Sequence, residues 1–406
     1  MADTSQPASN RRRPQLAAVT NVYRKLYHAQ HIVDRFLDGY GWNGEYHYPP
    51  MDLVSLYVDQ VGPLDLSRER AARHPGMKLY PTVADALTRG GDKLAVDGVV
   101  LVGEHGDYPR NEMGQTEYPR YQFFEQIVKV FRASGRTVPV FCDKHLSWNF
   151  DWAKRMYDTS RELGFGLMAG SSLAVTWRIP SVEMPLGAPV REALCVCYGG
   201  VDSYDFHGLE TIQCMVERRK GGETGVKWMR AYRGENFWNA MKEGVWPSRL
   251  LNAALCRSHT LTPAREGFND IFPTPDQMRA LVKEPVAYTY EHNDGLRCTM
   301  LLMNGLVKDF NFAATIDGRG EPFSTQMYLP MPDGRTTLAD FFSPLVNNME
   351  TLFFTGKSPY PIERTLLTTG LTAAGVESLY RDQTRMETPQ LAIRYEPSRE
   401  STYWRT

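Results

Sequence analysis

Several features that define large classes of protein are missing from this 406-residue sequence. No run approaches the roughly 18 apolar residues of a membrane-spanning helix. The formal net charge is −1, so the bulk composition gives no reason to expect binding to nucleic acid or to a membrane surface. The six cysteines include no metal-type CxxC pair. We therefore expect a cytoplasmic protein with free thiols and a small-molecule ligand.

A secretion signal is also not indicated at the start of the chain. Arg11-Arg12-Arg13 suggests a twin-arginine signal, but the apolar run that follows is short and is interrupted by Arg24 and Lys25. We expect residues 1–14 to form a disordered basic tail.

Strands and helices alternate through the first part of the chain. Apolar β-type runs recur with helical patterns between them, at 15–23, 52–58, 96–102, 138–141 and 165–169. This alternation predicts an α/β fold, a Rossmann-like doubly wound parallel sheet over residues 15–171.

After about Ser172 the strands follow one another, with a hairpin signal at Asn293-Asp294-Gly295. The pattern predicts an α+β domain over residues 172–380 with an open, mainly antiparallel sheet. A helix is predicted at 362–380, and residues 381–406 are a C-terminal extension.

Ionisable residues follow two successive strands of the predicted parallel sheet. Glu104-His105 comes after the run 96–102, and Asp143-Lys144-His145 comes after the run 138–141. Neighbouring strands lie about 5 Å apart, and ligands of such sheets bind at the carboxyl ends of the strands. We expect these side chains to converge there.

The second cluster resembles a family signature. Asp143-Lys144-His145-Leu146-Ser147, followed by a helix and an apolar strand ending in glycine, resembles Glu-Lys-Pro-Leu-Ala of the Gfo/Idh/MocA family, named partly for glucose-fructose oxidoreductase and inositol dehydrogenase. A second match is His207 with Glu210 three residues on, at the start of a helix, where the acid is expected to orient the imidazole.

The resemblance implies an NAD(P)-dependent oxidoreductase that acts on a carbohydrate or polyol. Lys144 then positions the substrate hydroxyl and His207 acts as acid and base. His145 replaces the family's proline and puts a titratable ring beside the nicotinamide, which makes it a third catalytic candidate. The resemblance also implies a homo-oligomer formed through the sheet of the second domain.

One departure bears on the cofactor. The glycine fingerprint G-x-G-x-x-G is absent, because the turn from Thr20 to His28 has no glycine. Asp59 ends strand two where an acid would bind the adenosine ribose. The residues expected at NAD or NADP are Asp59, Thr20, Asn21, Glu104, His105 and Asp143.

Two alternatives follow from the departures. Glu104, His105, Asp143 and His145 form an N/O set suited to a divalent metal, which predicts a non-redox hydrolase, lyase or isomerase. The missing glycines also permit a protein that binds or senses a sugar without catalysis.

Overall fold

The computed structural model describes residues 12–261, 270–330, 338–400 and 403. Most of the predicted basic tail, including Arg11, lies outside the described residues. None of the described helices is long and apolar enough to cross a membrane.

A six-stranded parallel sheet forms the first layer, with strand order β5-β4-β1-β6-β7-β8. A separate two-stranded hairpin, β2-β3, is inserted before β4. The strands are β1 Gln15–Thr20, β2 Tyr40–Trp42, β3 Glu45–His47, β4 Asp52–Val58, β5 Lys78–Leu79, β6 Gly98–Val102, β7 Val140–Asp143 and β8 Leu167–Gly170. The predicted doubly wound parallel sheet is confirmed.

Helices connect these strands as crossovers. They are α1 His28–Asp38, α2 Ser67–Arg73, α3 Val83–Thr88, α4 Arg120–Ser134 and α5 Phe150–Glu162. Asn149 caps α5 as its sequence predicts, because its side-chain oxygen accepts a hydrogen bond from the Trp152 N–H at 3.1 Å. The central strands are buried on both faces, which explains their continuous apolar runs.

The second sheet has eight strands in the order β16-β11-β12-β13-β10-β14-β15-β9. Only the β10–β13 pair is parallel, so the prediction of a mainly antiparallel sheet is confirmed. The strands are β9 Arg178–Ile179, β10 Val190–Cys197, β11 Val226–Arg233, β12 Val286–His292, β13 Arg297–Leu302, β14 Phe310–Ile316, β15 Phe323–Met327 and β16 Met386–Glu387.

Helices of this chain cover both faces of the second sheet. Alternate residues of β10 show the arrangement, since Cys195 packs with α6 and α11, whereas Leu194 packs with the helices of the opposite face. The helices are α6 Asp205–Val216, α7 Glu235–Lys242, α8 Ser248–Leu255, α9 Pro275–Leu281, α10 Ser343–Thr355 and α11 Ile362–Tyr380. The described helices thus pack on both sides of the sheet, and the homo-oligomer expected through this sheet stays a prediction.

Helix α10 returns to the first sheet. Leu345, Met349 and Leu352 of α10 share a buried cluster with Leu16 of β1 and Phe36 of α1. The predicted second domain, residues 172–380, thus contributes a helix to the core of the first sheet. The domain boundaries themselves stay a prediction.

A buried ion pair joins α6 to α11 and supports the second layer. Arg364 donates from Nε to Glu217 Oε2 at 2.9 Å and from Nη2 to Oε1 at 2.6 Å, and both side chains are 2 % exposed. The Tyr395 hydroxyl donates to the same carboxylate at 2.9 Å.

We expect Glu217→Ala to lower the free energy of unfolding by about 3–5 kcal/mol, because it leaves the buried Arg364 charge uncompensated. Urea titration followed by circular dichroism measures the change. The matched control is Glu235→Ala, which removes an exposed pair with Arg279 and should leave the curve unchanged. Equal curves for wild type and Glu217→Ala would show that this pair does not stabilise the fold.

Candidate active site

Two tight turns bring the predicted side chains together at the carboxyl edge of the parallel sheet. Strands β6 and β7 are hydrogen-bonded neighbours, so Glu104-His105 and Asp143-Lys144 emerge side by side. His105 and Lys144 both have left-handed backbone conformations, with φ of 67° and 61°. Lys144 Nζ lies 3.0 Å from Glu104 Oε1, and both residues are buried.

Glu104 is shared between two buried cations. Its second carboxylate oxygen accepts a hydrogen bond from Arg120, which begins α4 and is fully buried. Burial alone would raise the pKa of Glu104, but Lys144 and Arg120 outweigh it and hold that pKa well below its usual range. Arg120 was not found from the sequence, because a lone arginine at a helix start carries no motif.

His207 lies opposite this ion pair, near the start of α6. Its Nδ1 is 2.6 Å from the Ser171 hydroxyl, which follows β8, so Nε2 is the nitrogen left for a ligand. Burial, reinforced by Lys144, lowers the pKa of His207 well below its usual value. The imidazole is therefore neutral at pH 7, and Nε2 is an acceptor in the tautomer whose Nδ1–H donates to Ser171.

The expected pairing of His207 with Glu210 is wrong. The Glu210 carboxylate instead accepts hydrogen bonds from the Thr368 hydroxyl at 2.6 Å and the Thr365 hydroxyl at 3.3 Å, both on α11. It also accepts from the Ser171 N–H at 3.3 Å. Glu210 therefore reaches the imidazole only through Ser171.

Asp205, two residues before His207, holds the start of α6 in place. Its buried carboxylate accepts hydrogen bonds from the N–H groups of Asp202 and Ser203, at 3.0 and 2.9 Å, and from the Tyr288 hydroxyl at 3.0 Å. This side chain fixes the turn from which His207 projects.

His145 and Asp143 do not converge with the other predicted side chains in the way the sequence suggests. His145 Nδ1 is 3.5 Å from an Arg120 nitrogen, and its ring meets Phe206 edge-on, so it lies behind the ion pair. The Asp143 carboxylate lies 2.7 Å from His28 Nδ1, within hydrogen-bond distance. His28 begins α1, so this contact ties α1 to β7.

A cavity of about 120 Å³ lies between these groups. Its apolar wall includes Leu173, Phe310 and Phe342. Its polar lining consists chiefly of His28, His31, His105, Lys144, Tyr204 and His207. The structure thus places Lys144, His105 and His207 around one space, but not His145.

The alternative of a divalent metal is not supported by the geometry. Within residues 12–261, 270–330, 338–400 and 403, no three His, Cys, Asp or Glu side chains are placed to hold a metal ion. The physical reason is that the proposed ligands have other partners. Glu104 neutralises Lys144 and Arg120, Asp143 binds His28, and His145 lies against a guanidinium.

The crevice where a dinucleotide would lie is crossed by contacts of the protein with itself. The Asn21 side-chain amide donates to the His105 carbonyl at 3.1 Å, between the ends of β1 and β6. Gln60 both donates to and accepts from the backbone of Asp107, at 2.8 Å each. The ring of Tyr27 lies 4.4 Å from that of His105.

The remaining residues predicted to contact the cofactor also form hydrogen bonds within the protein. Both oxygens of Asp59 accept tyrosine hydroxyls at 2.7 Å, one from Tyr57 and one from Tyr108. Thr20 is buried and donates to the Tyr57 carbonyl at 3.2 Å. The residues present therefore do not fit a dinucleotide.

Comparison with known proteins gives the fold a context. No protein-family model matches the sequence, and no curated protein matches it significantly. Among solved structures, GenD2 from gentamicin A biosynthesis in complex with NAD is similar at a TM-score of 0.56, with 11% identity over 95% of this chain and 99% of that chain. Myo-inositol dehydrogenase from Lactobacillus casei in complex with NAD(H) and myo-inositol is similar at a TM-score of 0.52, with 12% identity over 93% of this chain and 97% of that chain.

A third structure, myo-inositol 2-dehydrogenase from Lactobacillus plantarum, gives a TM-score of 0.53 at 9% identity over 93% of this chain and 99% of that chain. These neighbours are dehydrogenases of the Gfo/Idh/MocA type, so the resemblance stated from the sequence is confirmed at the level of the fold. At such identities the likeness shows a shared architecture and leaves the chemistry to the site.

The buried imidazoles give the site a pH signature. Burial lowers the pKa of His31 to about 3 and that of His105 to about 4, whereas an unfolded histidine titrates near 6.5. Between these values the unfolded chain binds more protons than the native one, so stability is lost as the pH falls from about 6.5 to about 4.

We expect His31→Phe to keep the stacking on Phe342 and to lose less stability than wild type over this pH range. Urea unfolding at half-unit pH steps measures the slope. His259→Phe, at an exposed position, is the control and should follow wild type. A His31→Phe slope equal to that of wild type would contradict a neutral buried imidazole at position 31.

Proposed function

We propose that the protein is an enzyme acting on a carbohydrate-like or polyol substrate, at a carbon that carries a hydroxyl or carbonyl oxygen. The observation that supports this most directly is the placement of Lys144 and the neutral His207 on the walls of one small cavity. One group is a buried ammonium held by Glu104, and the other is an imidazole with a free nitrogen. Together they supply a hydrogen-bond donor and a proton acceptor.

Each group has a definite task in this proposal. Lys144 donates a hydrogen bond to the substrate oxygen and stabilises negative charge that develops there. Glu104 and Arg120 hold the Lys144 side chain in place without touching the substrate. His207 accepts a proton from the substrate and returns it, with Ser171 fixing the orientation of the ring.

An NAD(P)-dependent oxidoreductase is the second candidate. It is favoured by the fold neighbours whose structures contain NAD. It requires the contacts of Asn21, Gln60 and Asp59 to break, since these close the crevice. The predicted cytoplasmic location and the oligomeric state stay predictions.

We expect Lys144→Met to lower turnover by about 10²- to 10³-fold, because the substrate oxygen loses its charged donor. Turnover is measured by proton NMR on a panel of polyols and hydroxycarbonyl compounds, each with and without NAD or NADP. Lys154→Met is the matched control, because Lys154 forms an exposed pair with Asp158 on α5. A Lys144→Met enzyme as active as this control would refute the assignment.

We expect the acidic limb of the kcat/KM profile to lie below the usual histidine range near pH 6.5, because the His207 imidazole stays deprotonated in the native protein. His207→Gln should reduce the rate about 10²- to 10⁴-fold and remove the limb. The profile is measured from pH 4.5 to 8 with a substrate found in the panel. An acidic limb centred near 6.5 would contradict a buried neutral base.

A further inference from the structure

A second histidine on the wall of the cavity has a carboxylate partner. His28 begins α1, and its Nδ1 lies 2.7 Å from Asp143 Oδ2 at the end of β7. The Asp143 side chain is only 2 % exposed, so this contact is shielded from water. The ring of His28 belongs to the same cavity lining as Lys144 and His207. A histidine–carboxylate pair therefore borders the candidate active site.

The contacts of the His28 ring determine which nitrogen is left for a ligand. Asp143 takes Nδ1, and the ring packs edge to face against His105 and Phe342, with ring centroids 5.2 and 5.1 Å away. Nε2 has no hydrogen-bond partner among the described residues, and the side chain keeps 16 % of its surface exposed. A carboxylate that accepts the Nδ1 proton fixes the tautomer in which Nε2 is an acceptor. The ring is thus held in one orientation with Nε2 available.

His28 and His207 differ in the partner of Nδ1. The Asp143 carboxylate compensates the charge that the His28 ring gains with a proton on Nε2, whereas Ser171 gives His207 an uncharged partner. Burial first, then Lys144 and His28, lower the pKa of His207 well below its usual value. A proton on one ring therefore disfavours a proton on the other. Two titratable groups whose surroundings favour different protonation states are typical of an acid–base pair.

His28 also lies where the glycine fingerprint is missing. In a dinucleotide-binding fold, glycines at the start of this helix leave room for the diphosphate. Here the start of α1 carries an imidazole instead. The amino end of a helix disfavours positive charge, so the Asp143 carboxylate is needed if this ring is to carry a proton.

We propose that His28 is a further catalytic residue, a second proton carrier whose Nε2 contacts the substrate, and that Asp143 is its positioning residue. This inference rests on the proposed function and adds a group to its site. While His207 takes a proton from the substrate, His28 gives one to it from Nε2, and proton exchange with water then restores both rings. The substrate keeps its number of protons and electrons, so the exchange needs no oxidant or reductant.

The test measures turnover of myo-inositol, glucose and dihydroxyacetone by the full-length protein, each with and without NAD or NADP, followed by proton NMR. We expect His28→Ala to lower kcat about 10²- to 10⁴-fold with little change in KM, the effect of a lost acid–base group. Free imidazole should restore part of the rate in proportion to its concentration, because it can enter the space of the missing ring. A merely structural role of His28 predicts no such rescue.

His47→Ala is the matched control for this variant. His47 forms a similar pair, with its Nε2 2.9 Å from Glu350 Oε2, but it does not line the cavity. This control should turn over as wild type does and should not respond to imidazole.

Asp143→Asn tests the positioning residue. We expect a lower kcat here too, because the amide cannot compensate a proton on the ring, but no rescue by imidazole, because the His28 ring still fills its place. This isosteric variant also keeps the test decisive if His28→Ala does not fold. A wild-type kcat in Asp143→Asn overturns the inference.

The outcomes separate this inference from the proposed function. If Lys144→Met is impaired while His28→Ala keeps the wild-type kcat, the inference is overturned and the proposed function stands. A folded but slow His28→Ala enzyme that imidazole does not restore overturns the inference as well. If wild type turns over none of the probes, the proposed function fails and the role of His28 fails with it.

Discussion

The buried carboxylate of Glu104 is the constraint on which the site depends. It lies between Lys144 and Arg120, so one anion holds two cations that would otherwise repel each other inside the protein. The Arg120 side chain lies close to the backbone of Gly103. A Cβ at position 103 would lie 2.4 Å from that side chain, so only glycine fits there. Burial keeps His31, His105 and His207 neutral at pH 7, and Lys144 lines the same cavity.

Much of the fold follows from the sequence because the signals are local. Long β-branched runs separated by helical periods predict parallel strands with crossovers, and the pairing of β6 with β7 is observed. What the sequence did not predict depends on distant contacts. Strand β11, VKWMRAYR, interrupts its apolar residues with three charged ones, and it pairs with β12, some 60 residues further along the chain. Helix α10 follows the second sheet in the chain yet packs on the first, which no local pattern indicates.

In the site, too, local sequence signals predict some features, whereas contacts between distant parts of the chain decide others. The strand-end rule predicted that Glu104, His105 and Lys144 lie together, because parallel strands end at one edge. Helical spacing predicts that His207 and Glu210 lie on one face of α6. It cannot predict that Thr365 and Thr368 of α11 donate hydrogen bonds to the Glu210 carboxylate. Likewise, the run Asp143-Lys144-His145 does not indicate where each side chain points. The left-handed backbone at Lys144 places His145 behind the Lys144–Glu104 ion pair, against Arg120.

The protein therefore combines a dehydrogenase-like fold with a dinucleotide crevice that its own side chains close, beside a small cavity lined by Lys144 and His207. The most direct test of this claim is a fluorescence titration of NADH and NADPH with the purified protein. We predict that the nicotinamide emission neither shifts nor increases saturably, because Asn21, Gln60 and Tyr27 keep the crevice closed. A saturable increase that approaches one equivalent of nucleotide per chain would contradict the account.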